Sequence, residues 1–207
     1  MKKKTLTVAI ALVLVVALAV GATYAYLTAS SGPVKNTFVA GKLFDQDGGI
    51  KLQEKEVTAK EDGTYEIKEN APWKNVGYEY TVQPGVDLPK QPAVNVSGLD
   101  TQAYLFVGVK GNAISGKFDW SVDATTWEPL MNGNTQVVKD GYKIWVLKGD
   151  VQNGTYEILT GNKIVVNDEF VPSTLTADNN IEFQAYICQS AGFSSAYEAF
   201  NASFGTK

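Results

Sequence analysis

The chain has 207 residues with a formal net charge of −4, and all 18 of its basic residues are lysine. With no histidine and a single cysteine, histidine-ligated zinc chemistry, a Ser-His-Asp or Cys-His relay and an internal disulfide are excluded. An acidic surface without arginine repels phosphate backbones and lacks the usual bidentate reader of bases, which sets nucleic acid aside as a partner.

Lys2, Lys3 and Lys4 precede an almost wholly apolar run over residues 6–20. A charged start, a short apolar stretch and small residues at a cleavage point describe a secretory leader. Thr23 and Ala25 fit the −3 and −1 positions, so residues 1–25 read as a signal peptide cut between Ala25 and Tyr26. Retention as an uncleaved anchor is the alternative, because residues 21–25 would lengthen the helix towards the roughly 20 residues a bilayer needs. Membrane contact is expected only through this leader. Its loss removes three lysines and no acid, taking the net charge from −4 to −7. About 180 residues then remain, the size of one domain.

Tyr26, Leu27, Thr28, Ala29, Ser30 and Ser31 form a short segment without charged side chains, followed by Gly32-Pro33. Proline fixes its own φ and cannot donate to a ladder, so residues 26–33 read as a flexible segment hinged away from a domain over 34–207. An open sheet edge offers unpaired backbone groups that an incoming strand satisfies. The segment is therefore expected to add as a donor strand to a second copy, with Leu27 and Ala29 towards its core and Thr28 and Ser30 outward. A tail with no fixed partner is the competing reading.

Period-two alternation then predicts strands over 34–44, 50–57, 64–68, 77–82, 93–96, 103–110, 118–122, 142–147, 156–159, 163–166 and 181–189. Turn chemistry separates them at 45–49, 61–63, 83–85, 132–134, 139–141, 152–154 and 178–180, where Gly and Asn supply positive φ. Many short strands at this spacing predict an all-β chain, a jelly-roll-like β-sandwich. Phe38, Leu43, Leu105, Val107, Ile144, Val146, Phe183 and Ala185 are expected to point into it, each having apolar neighbours at i±2.

Asp45-Gln46-Asp47-Gly48-Gly49 opens like an oxygen-rich calcium loop. The residue twelve along is Glu56, but Ile50-Lys51-Leu52 reads as strand, so Asp45 and Asp47 are a weak metal candidate and a tight turn is preferred. No pair of carboxylates stands out for glycoside chemistry. No cofactor is implied. Trp145 reads as core, whereas Trp73 beside Pro72 reads as exposed and open to sugar stacking. Cys188 lies in an apolar run and reads as a small packed hydrophobe, with a reactive or intermolecular thiol as the alternative.

The chain closes on a helix. Ser195 and Glu198 stand three apart as a capping box, Tyr197, Phe200 and Phe204 share one face, and Gly205 stops it.

The N-terminal block resembles the TasA/camelysin family of exported Gram-positive proteins. Gly21-Ala22-Thr23-Tyr24-Ala25 looks like its cleavage point, and Thr37-Phe38, Gly41 and Leu43 look like its first strand. Val82-Gln83-Pro84-Gly85, Pro92-Ala93-Val94-Asn95-Val96-Ser97-Gly98 and Asp100–Val107 are similar to its middle strands. Ala185, Gln189, Gly192 and Phe193, with the short helix, are similar to its ending. The resemblance implies a jelly-roll sandwich, a leader cut by a dedicated signal peptidase, and a fibre or matrix subunit whose partner is itself. Some relatives are described as camelysin-type metalloendopeptidases, and the absence of histidine stands against that activity. The expected function is thus a secreted structural protein of the cell surface or biofilm matrix, self-assembling into fibres. The alternatives are a camelysin-like surface metalloendopeptidase and a monomeric adhesin binding glycan or host protein.

Overall fold

A computed structural model describes the backbone of residues 28–31, 36–37, 43–112, 114, 116–169, 171–175 and 179–205. Short strands β1 (Thr28–Ser31) and β2 (Asn36–Thr37) precede the long β3 (Phe44–Glu54). The hairpin β4 (Val57–Ala59) and β5 (Tyr65–Ile67) leads through β6 (Leu88–Pro89) to β7 (Pro92–Leu99) and β8 (Ala103–Asn112). Then come β9 (Phe118–Asp119), β10 (Trp127–Pro129), β11 (Met131–Asn132), β12 (Thr135–Gln136), β13 (Val138–Lys139) and β14 (Tyr142–Leu147). Strands β15 (Gly154–Glu157), β16 (Lys163–Val166) and β17 (Asn180–Gln189) precede the helix α1 (Ala196–Phe204).

The result is an all-β sandwich with one short C-terminal helix, as the alternation predicts. The principal sheet runs β10-β14-β8-β17-β1-β2, with β13 also on β14, and a second sheet runs β15-β7-β3. Its spine is the antiparallel pair β8–β17, in register from Asn180 opposite Asn112 to Gln189 opposite Ala103.

Alternation on β8 sends Leu105, Val107 and Val109 into one core and Phe106 into another. The first core lies between the sheets, where Leu105 and Val107 meet Val94 and Val96 of β7, Ile50 and Leu52 of β3, and Phe183, Ala185 and Ile187 of β17. Each such aliphatic side chain contributes about 1.5–3 kcal/mol when fully buried. The second core lies on the opposite face, where Phe106, Tyr186 and Cys188 are covered by Ala199 and Phe200 of α1.

That second core corrects one expectation. Ile144 and Val146 are buried, but in the second core with Phe106 and Leu130 rather than between the sheets, while Trp145 packs half-buried against the inter-sheet core and Leu147 belongs to it. A strand covered on both faces is apolar at every position, so the period of two cannot say which set faces the partner sheet. Leu43, Leu105, Val107, Phe183 and Ala185 do face it, and Phe38 lies outside the described residues.

Local chemistry explains the ends. Ser195 Oγ accepts from the Glu198 N–H, and Glu198 Oε2 reaches back to the backbone N–H of Ser194 at 2.9 Å, one residue before the N-cap. Gly205 ends the helix in extended backbone, and a Cβ there would stand 2.4 Å from the Asn201 carbonyl oxygen. Asp140 and Gly141 both adopt positive φ, 52° and 85°, the twist a two-residue hairpin needs between β13 and β14.

The expected turn at 45–49 is instead a bulge within β3. Phe44 pairs with Leu99 and Gly49 with Ser97, so three more residues separate the pairs on β3 than on β7. Gly48 makes this fit, since a Cβ on it would lie 2.7 Å from the Ser97 carbonyl oxygen. The expected strand 77–82 joins no sheet. Tyrosines hold it in place of a ladder: Tyr80 donates its hydroxyl to the Pro89 carbonyl at 2.7 Å, and the Thr81 N–H donates to the Tyr65 hydroxyl at 2.6 Å.

Candidate functional site

The edge of the principal sheet carries the segment expected to act as donor. Tyr26 and Leu27 lie outside the described residues, as do the cleavage point at Ala25 and the leader. Thr28, Ala29, Ser30 and Ser31 form β1, antiparallel to β17 of the same chain and opposite Cys188, Ile187, Tyr186 and Ala185 in turn. On its other side β1 pairs with β2 at Ser30–Thr37 and Ser31–Asn36. The expectation of a segment with no connection back to its own sheet is therefore corrected: backbone groups that would be orphaned in isolation find partners on β17. The seam covers four of the ten residues of β17.

The strand it leans on is buried where they meet. Ile187 and Cys188 are fully buried, Ala185 has no exposed surface, and Tyr186 is 2 % exposed. Burial pushes the Cys188 thiol up to about 12, so at neutral pH it is protonated and packed, not a nucleophile.

A groove of about 750 Å³ opens on another side, lined among others by Tyr78, Tyr80, Lys90, Phe118, Leu175 and Ile181. At Lys90 the sequence reading missed a pair. Lys90 Nζ lies 2.8 and 3.0 Å from the two carboxylate oxygens of Glu54, and both residues are buried. Glu54 sits at the end of β3 and Lys90 thirty-six residues on, just before β7. Half of this was legible, because Ile50, Leu52 and Glu54 alternate on one face and period two points Glu54 inward with them. The lysine had no such signal.

The metal candidate does not assemble around Glu56. Its two carboxylate oxygens are held by Lys68 and Lys74, whose hydrogen bonds pull its carboxyl down to about 2. Asp45 and Asp47 lie in the β3 bulge, and their side chains are outside the described residues. Among the described residues no three of His, Cys, Asp or Glu cluster as a metal site would. Trp73 is half-buried beneath Lys55 Nζ, 5.1 Å from the ring centre, instead of standing open. The largest fully buried side chain, Trp127, donates its indole N–H to the Glu157 carbonyl at 2.7 Å and so ties β10 of one sheet to β15 of the other.

No family model, no curated protein and no solved structure matches the chain.

Proposed function

We propose that this chain is an exported structural subunit of the cell surface or biofilm matrix that assembles into fibres by donating its first strand to the next copy. The observation that carries the reading is β1 itself: a four-residue strand seated against the edge of the long β17. Its partners there are the backbone groups of Ala185–Cys188, and a neighbouring copy offers the same groups. An exchange of identical pairings costs only the opening of one seam, and a head-to-tail donor contact does not close on itself. The leader-like start, the absence of histidine from the chain and the family resemblance support the same reading.

Assembly then begins with release of β1 from its own β17. Deletion of residues 26–31 tests the proposal by negative-stain microscopy. The shortened protein stays folded by circular dichroism, forms no filaments, and stops growth when added in small amounts to the intact chain, because it accepts a strand and donates none. Filaments growing normally from the deletion would overturn the reading.

A further inference from the structure

Lys90 and Glu54 form a charge pair in an unusually bare setting. Their side chains make no hydrogen bond, among the described residues, except to each other. The flanking groups are rings: Lys90 Nζ lies 5.9 Å from the centre of Tyr80 and 5.7 Å from that of Phe183. A buried ion pair without further hydrogen-bond partners is poorly compensated for its lost hydration. Passing one proton from the ammonium to the carboxylate removes both charges, and it leaves an amine facing a carboxylic acid. The direction of the Glu54 carboxyl agrees with this, since burial holds it above the usual carboxylate range despite the lysine beside it.

Both partners hang from fixed backbone. Glu54 exchanges two backbone hydrogen bonds with Lys74, at 2.8 and 3.1 Å, and stands opposite Pro92 in the β3–β7 ladder. The Lys90 N–H donates to the Asn162 carbonyl at 2.7 Å. An amine held 2.8 and 3.0 Å from the two oxygens of a carboxyl stays beside the carbon that joins them. Rotation about Glu54 Cγ–Cδ turns the carboxyl face to the nitrogen, and such enforced proximity replaces the entropy of an encounter.

We propose that Lys90 Nζ and Glu54 Cδ join as an intramolecular amide after the chain folds. The nitrogen lone pair attacks Cδ, a Cδ–O bond breaks, and one carboxyl oxygen leaves as water with two of the three ammonium hydrogens. The third stays on the amide nitrogen. No oxidant, cofactor or external proton is consumed, and the two opposite charges vanish together. The bond fastens the end of β3 to the entry of β7, in a chain whose single cysteine excludes an internal disulfide. This modification site stands independently of the fibre reading.

Mass spectrometry of the full chain, purified folded and then denatured, decides it. The expected mass is one water below that of the sequence, and digestion releases a branched peptide joining the segment of Glu54 to that of Lys90. Lys90→Met returns the mass to its own sequence value. Because the native chain alone carries the decisive readout, the test survives a variant that fails to fold. Separate linear peptides for Glu54 and Lys90 would overturn the proposal, and so would a water loss mapping to a succinimide at Asp62-Gly63 or Asp140-Gly141.

Discussion

The two faces of the principal sheet are built differently. The inner face is aliphatic and meets a second sheet, so Leu105, Val107 and Ile187 pack against Val94, Val96 and Ile50 from distant parts of the chain. The outer face is aromatic and meets one short helix, where Phe106 and Tyr186 cluster with Phe200 and Phe204 at centroid distances of 5.0–6.5 Å. Loss on the inner face has no local remedy, since both sheets depend on it. Loss on the outer face is answered by releasing a nine-residue helix. One sheet thus supports a global core and a local one.

Trp127→Ala sharpens the contrast most. It empties a fully buried site and leaves the Glu157 carbonyl without its donor, so a loss of roughly 3–5 kcal/mol or more is expected from cavity and orphaned acceptor together. Chemical denaturation reads it as one cooperative transition at lower denaturant. Phe200→Ala, also nearly fully buried, is expected to cost less, about 2–3 kcal/mol, because undocking of α1 caps the penalty. Hydrogen exchange should show protection lost in α1 and retained in β8. A Phe200→Ala loss as large as that of Trp127→Ala, with protection falling throughout, would break the distinction between the faces.

Gly48→Ala probes the inner layer at its bulge, where a Cβ would stand 2.7 Å from one backbone oxygen and 2.9 Å from another. Backbone cannot swing away as a side chain does, so about 1–3 kcal/mol is expected, with exchange increased along β3 and β7. Ser195→Ala removes the acceptor of the Glu198 N–H at the helix start and should cost about 1 kcal/mol, confined to α1.

A pH dependence also tests the outer face. Burial pushes the Cys188 thiol up from its ordinary 9.0 to about 12. The unfolded chain therefore releases this proton first, and its contribution to stability, fully present below pH 9, declines as pH rises towards 12. Comparison of the native chain with Cys188→Ala in urea at neutral and alkaline pH isolates it. Native Cys188 should resist iodoacetamide at neutral pH and react once the chain unfolds. Rapid labelling of the folded protein would show that α1 opens far more readily than its packing implies.

What the sequence alone determined about this protein was whatever rests on neighbours. The capping box at Ser195 and Glu198, the Asp140-Gly141 hairpin and the all-β alternation involve residues a few positions apart, whose backbone preferences act before any tertiary contact forms. Tertiary structure decided the rest. Ile144 and Val146 belong to the outer core and not to the one beneath the second sheet because a doubly covered strand presents apolar residues on both sides. The stretch 77–82 alternates like a strand yet finds no ladder, and the hydroxyls of Tyr80 and Tyr65 fasten it instead. Thr28–Ser31 joins its own sheet because β17 offers backbone partners that only the folded chain brings near. Lys90 meets Glu54 across thirty-six residues, and no local pattern encodes such a meeting, because the β3–β7 register and the rings of Tyr80 and Phe183 create the site where it occurs.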